Sequence, residues 1–287
     1  MDLNGDGNID ILSGSYSRQD KNMAGLFQVL LGNQGGTFQK AQVCNGSDGE
    51  PLIIPTRGEQ EDVTDKICTR PFAVDLDGDG VLDIVAGNFT GTFAFFRGEA
   101  AGKFAPKPTW LESDGKRLSV QGHSDPFFVD WDGDGDFDML SGSSSGGVFL
   151  FVNEGTKQAP KFGKKVTLVE PAGHGDGSTK LGDAHVTAPG SATRVWVDDI
   201  NGDGKLDLLI GDSVRLCFPA KGVDEAGMKG KLADWEARQQ KAFEGMNGEM
   251  TDAQQKTFDA SYKKLQDERK TIVRDDPTGF VWLMLRK

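Results

Sequence analysis

The sequence predicts an all-β fold, a β-propeller of four visible four-stranded blades with a helical hairpin inserted in the last blade. Three observations carry this. An acidic pattern recurs four times, as DLNGDGNIDILSG from Asp2, DLDGDGVLDIVAG from Asp75, DWDGDGDFDMLSG from Asp130 and DINGDGKLDLLIG from Asp199. Each copy is flanked by short apolar runs bounded by glycine. The chain of 287 residues carries 39 Gly and 18 Phe with little long helical patterning, which suits many short strands joined by tight turns. The pattern starts lie 73, 55 and 69 residues apart, the spacing of a four-stranded unit with variable loops. A lone sheet of this kind cannot bury both faces, and radial stacking solves that.

The strands follow in a fixed order. Strand A precedes three of the patterns, as PFAV from Pro71, PFFV from Pro126 and RVWV from Arg194. Strand B leaves each acidic loop, as IDILSG, LDIVAG, FDMLSG and LDLLIG. Strand C reads GLFQVLLGN from Gly25, GTFAFFRG from Gly91, GGVFLFVNEG from Gly146 and GFVWLMLRK from Gly279. Strand D closes three units, as TFQKAQV, KFAPKPTWL and KFGKKVTLV. The chain starts inside a pattern and stops after a strand C. The expectation is therefore an N-terminally truncated chain, with the missing D and A strands or further whole blades, and a signal peptide, upstream of Met1; the blade count stays open.

Residues 222–276 break the spacing of the last unit and turn rich in Lys, Glu, Gln and Ala. Leu232, Trp235, Ala242, Phe243 and Met246 recur at helical spacing, as do Phe258, Tyr262, Leu265 and Ile272. Thr251 and Gln254 form a capping-box pattern between them. The expected organisation is 1–221 for the blades, 222–276 for the hairpin and 277–287 for the last strand. The hairpin packs on the blades, or serves as a docking arm or lid.

The acidic loops have the chemistry of a hard-cation site. Ca²⁺ takes six to eight oxygens, and alternating carboxylates surround it on a tight loop only where glycines fold the backbone back. Positions 1, 3, 5 and 9 supply side-chain oxygens and position 7 a backbone carbonyl. The first site is Asp2, Asn4, Asp6 and Asp10 with Asn8; the second is Asp75, Asp77, Asp79 and Asp83 with Val81. The third is Asp130, Asp132, Asp134 and Asp138 with Asp136; the fourth is Asp199, Asn201, Asp203 and Asp207 with Lys205. An EF-hand is excluded, because position 12, where it needs Glu, holds Ser13, Ala86, Ser141 and Ile210. By charge, the four-Asp loops two and three should bind more tightly than loops one and four.

These loops and strands resemble the FG-GAP or VCBS repeats of integrin-alpha-type propellers and of many secreted bacterial proteins. The resemblance covers about residues 1–220 and the last strand. It implies up to four structural Ca²⁺ ions, and with the weak affinity of extracellular calcium modules it implies a secreted, periplasmic or cell-surface setting.

The formal charge of −12 argues against nucleic acid as a partner. Fourteen of the 44 acidic residues sit at loop ligand positions, so the rest of the surface is close to neutral and anionic glycans stay open. No stretch is apolar enough for a membrane span. Cys44 and Cys68 share one long loop and could pair in an oxidising compartment, whereas Cys217 reads as an apolar filler.

The metal loops join A to B at one end, so the hairpin shares the other end with the D-to-A loops at about 45–70, 113–125 and 171–193. That face is the expected binding surface. It holds Arg70, His123, Asp125, His174, His185 and Arg194; Trp110 and Trp196 could stack on sugars, but their strand-like runs favour core packing. No triad, nucleophile elbow or phosphate loop is present. The expected function is a scaffold or binding module for protein or glycan partners. The alternative is a polysaccharide lyase- or hydrolase-type enzyme on the same frame.

Overall fold

Apolar runs of four or five residues between glycine turns form short antiparallel strands, and the computed structural model arranges them in four successive sheets. It describes residues 1–18, 22–56, 63–171, 180–244 and 251–287. The first sheet orders β1 (Ile11–Gly14), β2 (Phe27–Leu30) and β3 (Gln42–Val43). The second orders β4 (Arg70–Val74), β5 (Asp83–Gly87) and β6 (Phe93–Phe96); after the hairpin of β7 (Gly98–Ala100) and β8 (Lys103–Phe104), β9 (Thr109–Trp110) pairs with β6. A second hairpin joins β10 (Glu112–Ser113) to β11 (Lys116–Arg117). The third sheet runs β12 (Asp125–Val129), β13 (Asp138–Gly142), β14 (Val148–Phe151) and β15 (Val166–Val169). After β16 (Lys180–Leu181), β17 (Ser191–Asp198) pairs with β18 (Asp207–Pro219). Then come α1 (Glu225–Glu244), α2 (Asp252–Ile272), β19 (Val273–Thr278) and β20 (Val281–Met284). β20 returns to residues 208–211 of β18 and completes the fourth sheet.

Strand alternation sends each of the two middle sheets into two cores. Ile84 and Ala86 join Phe27, Leu52, Ile54 and Phe96 in the first core. Val85 joins Phe93, Phe128, Met139 and Phe149 in the second. Leu140 and Leu150 join Val197, Leu208 and Ile210 in the third. β5 and β13 are therefore buried along their whole length. β1 and β20 half-bury alternate residues only, leaving Ile11 43% and Val281 76% exposed.

One seam repeats between neighbouring sheets. The glycine that ends strand B lies against the start of the next strand A: Gly14 on Thr69, Gly87 on Ser124 and Gly142 on Thr193. A Cβ at any of the three would lie well under 3.0 Å from that residue's carbonyl oxygen. The next amide donates to the hydroxyl across the seam, Ser15 to Thr69 Oγ1 at 3.0 Å, Asn88 to Ser124 Oγ at 2.9 Å and Ser143 to Thr193 Oγ1 at 3.0 Å. The backbone amides of Thr69, Ser124 and Thr193 donate in return to the carbonyls of Ser15, Asn88 and Ser143. Just before each hydroxyl residue the chain turns left-handed, at Cys68 (φ 58°), His123 (φ 48°) and Ala192 (φ 52°). That conformation is unfavourable for these residue types, and the bonds on both sides of it hold it.

The chain divides into two compact units, one of Met1–Asp176, Ala188–Ser213 and Gly279–Lys287, the other of Gly177–Thr187 and Val214–Thr278. In the second, residues 214–219 of β18 pair with β19, so the helical hairpin rises from a β-ribbon. α2 stops at Ile272, and the chain is extended from Val273. Met228, Leu232 and Trp235 pack with Cys217, Ile272 and Val273, and Trp235 Nε1 donates to the Leu265 carbonyl at 2.7 Å. The capping box of Thr251 and Gln254 is formed. Further along the hairpin, Phe243, Phe258 and Tyr262 stack together with Phe243 exposed. Met246 lies outside the described residues.

Two expectations need correction. Cys44 and Cys68 form no disulfide: both are buried free thiols, Cys44 inside the first core, where burial pushes its thiol up to about 11. Trp196 is not core. It is 56% exposed on the open face of β17, edge-on to Phe127 at 5.3 Å. Trp110 is half-buried against the first core, with Arg117 over its ring at 3.8 Å.

Candidate metal loops and an arginine hollow

Each acidic loop folds on its own carboxylates. The position-7 amide donates to the position-5 carboxylate in all four, as Asn8 to Asp6, Val81 to Asp79, Asp136 to Asp134 and Lys205 to Asp203. The position-6 glycine donates to the position-1 carboxylate in all four. Glycines at positions 4 and 6 have positive φ, for example Gly133 at 82° and Gly135 at 96°, which only glycine adopts without strain.

The position-9 aspartate has a role that spacing alone does not reveal. Both of its oxygens accept backbone amides, one from loop position 2 and one from just beyond strand C. Asp10 takes Leu3 and Gly32, Asp83 takes Leu76 and Gly98, Asp138 takes Trp131 and Asn153, and Asp207 takes Ile200 and Arg286. All four are buried. The residue thus clamps loop, strand B and the end of strand C together. A recurrent Asp at the first residue of a strand whose neighbours turn inward was the available signal.

The loops differ in how their charge is met. In loops one and four the position-3 Asn donates its amide to the position-5 Asp, Asn4 to Asp6 at 3.0 Å and Asn201 to Asp203 at 3.2 Å. Loops two and three have Asp there, and they alone among the described residues gather three acidic groups with oxygens within 4.8 Å: Asp75, Asp77 and Asp83, and Asp130, Asp132 and Asp138. In loop two Arg97 bridges Asp77 and Asp79, at 2.5 Å to each. Burial, with help from Asp77 and Asp79, still pushes Asp83 up to about 6. Loop three has no such cation among the described residues, and burial raises both Asp136 and Asp138. Asp75 Oδ1, Asp77 Oδ1 and Asp136 Oδ1 are buried without a hydrogen-bond donor. Asp136 is only 7% exposed, so its side chain, and not just its carbonyl, is shielded from solvent at loop three.

Of the residues expected on the binding face, the structure brings three together. Arg70, Asp125 and Arg194 line one hollow of about 410 Å³. Each lies two residues after a left-handed seam residue, so the seam aims them. Arg194 Nε pairs with Asp125 Oδ2 at 3.1 Å, and Arg70 Nη1 donates to the His123 carbonyl at 2.9 Å. Burial raises Asp125 and lowers Arg194, and Arg70 lowers Arg194 further. His123 contributes its carbonyl here, while its ring packs on Phe89 at 4.5 Å. His185 belongs to the other unit, in a short 3₁₀ turn (Asp183–His185). His174 lies outside the described residues.

A succession of antiparallel sheets, three carrying an acidic loop between two neighbouring strands and the first carrying one just ahead of β1, defines a β-sheet repeat protein. The model of an FG-GAP-like repeat matches residues 75–141 of the chain. The matched stretch contains loops two and three and the seam of Gly87 with Ser124. No curated protein matches the chain. Among the described residues no helix is long and apolar enough to cross a membrane.

Proposed function

We propose that the chain is a Ca²⁺-stabilised β-propeller-type module that binds protein or glycan partners in a secreted, periplasmic or cell-surface setting. The observation that carries the metal is the set of buried carboxylate oxygens in loops two and three with no donor. A bare buried carboxylate oxygen is costly, and a hard cation with oxygen coordination relieves it. Asp75, Asp77, Asp79 and Asp83 would hold one ion, and Asp130, Asp132, Asp134 and Asp138, with Asp136 beside them, another. Loops one and four, where an Asn amide already meets one carboxylate, are the weaker sites. When bound, Ca²⁺ supplies positive charge and fixes the loop. Support for the propeller comes from four sheets of one build sharing cores face to face.

Adding Ca²⁺ to EDTA-treated protein is expected to raise the melting temperature by roughly 5–10 °C at a hundredfold excess over Kd. Asp79→Ala combined with Asp134→Ala should blunt the rise; an unchanged melting temperature in wild type overturns the metal reading. Arg97 competes with the ion for Asp77 and Asp79. Arg97→Ala is therefore expected to tighten Ca²⁺ at loop two about tenfold, a difference of about 1.4 kcal/mol, measured by calorimetry. This modifies the ranking by charge, leaving loop three as the tightest site.

The convergence of Arg70, Asp125 and Arg194 favours one second reading, a polysaccharide lyase- or hydrolase-type enzyme. Release of new reducing ends or unsaturated products from acidic polysaccharides would establish it over simple binding.

A further inference from the structure

The hollow formed by Arg70, Asp125 and Arg194 also contains Leu12, Ser13 and Tyr16. Its charges do not balance. Two guanidiniums face one carboxylate, and Arg194 takes that carboxylate, with its Nη1 on the carbonyls of Ala192 and Thr193. Arg70 gives one nitrogen to the His123 carbonyl and the other to Cys68 Sγ at 3.5 Å, a weak acceptor. Among the described residues no carboxylate forms an ion pair with Arg70. At Asp125, Oδ2 pairs with Arg194, and the described residues show no hydrogen bond to Oδ1, which leaves it open to a ligand donor. Tyr16, 57% exposed, brings an aromatic ring to the same hollow.

A small ligand that offers an acceptor to Arg70 and a donor to Asp125 would meet both. A simple anion such as acetate or sulfate, or an acidic peptide side chain, offers acceptors only, and Asp125 would repel it. A sugar acid offers both, because its carboxylate stands beside ring hydroxyls that donate. Its apolar ring face also suits stacking on an exposed tyrosine. The volume lies in the range of small-ligand pockets.

We propose that this hollow recognises a uronate unit of an acidic glycan, with Arg70 on the carboxylate, Asp125 on a ring hydroxyl and Tyr16 against the ring face. The proposal rests on the binding-module reading and names its ligand class. It assigns recognition to the seam-borne residues, separate from the acidic loops.

The test is calorimetry on the full chain with Ca²⁺ present, using a uronic-acid trisaccharide, the same trisaccharide with its carboxyls reduced to alcohols, and acetate. The acidic trisaccharide should bind at least tenfold more tightly than either of the others. Arg70→Ala should remove that difference and Arg70→Lys restore part of it, while the melting shift produced by Ca²⁺ stays as in wild type. Equal binding of the acidic and reduced sugars, binding of acetate as tight as that of the sugar acid, or no binding at all overturns the proposal. The sugar comparison uses unaltered protein, so it stands even where the variant fails to fold. A Ca²⁺ melting shift without uronate binding sinks this proposal alone, whereas absence of the shift sinks the metal reading.

Discussion

Gly142→Ala is expected to lower the stability of the protein by about 3 kcal/mol or more, and Gly87→Ala by a similar amount. Gly211→Ala should stay within about 0.5 kcal/mol of wild type. Gly87 and Gly142 end strand B of their sheets, Gly211 holds the same place inside β18, and all three look equivalent in the repeat. The difference lies in what stands opposite. A methyl group at Gly142 or Gly87 meets the backbone carbonyl of Thr193 or Ser124, which cannot swing aside as a side chain would. The same carbon at Gly211 finds its nearest neighbour, Arg194 Cβ, at 4.0 Å. The backbone conformation at these glycines is open to alanine, so the loss reports the collision alone. Urea denaturation measures it, as a fall in midpoint at constant m-value. Equal effects at Gly142 and Gly211 would show that the seam does not hold the sheets together.

The second large effect separates the clamp from the metal. Asp138→Ala strips the acceptors from two amides, Trp131 and Asn153, in a buried setting. Each unsatisfied group costs about 1–3 kcal/mol, so a loss of roughly 2–5 kcal/mol is expected even in EDTA. Asp132→Ala removes a carboxylate from the same loop, one whose main company is other carboxylates. In EDTA it should be neutral within about 0.5 kcal/mol, while in Ca²⁺ both variants should lose stabilisation at loop three. Melting curves of the two variants with and without Ca²⁺ decide the matter. A large loss for Asp132→Ala without metal would mean that the loop carboxylates are structural by themselves.

The repeat made much of this legible. The position-1, 3, 5 and 9 pattern and its flanking apolar runs placed the strands of the middle sheets, because in a buried strand periodicity and burial coincide. The glycine at the end of strand B was visible too, but its reason was not. That reason is a carbonyl some 50 residues away in the second and fourth repeats, and only the packed sheets show it. Trp196 was misread for a related cause. Its run looks like the buried strands of the other repeats, yet the fourth sheet covers one face only, so the same alternation leaves the indole in solvent. Arg70, Asp125 and Arg194 stand out in the sequence as polar residues near strand A, but so do His123, His174 and His185. What distinguishes the three is a left-handed residue two positions earlier, and Cys, His and Ala carry no sequence signal for that conformation. Arg97 was missed because it lies outside the acidic loops, and only the closure of strand C brings it over loop two.

The seam has a consequence for how the molecule opens. The same lock occurs three times, and each copy ties one sheet only to the next. The chain is then a row of coupled units with nearest-neighbour terms, and its cooperativity depends on how strong each lock is compared with the sheet it joins. Sheets locked on both sides should open last. Amide hydrogen exchange should therefore be slowest in β5 and β13 and faster in β1 and β20, and weakening one seam should split a single unfolding transition into two.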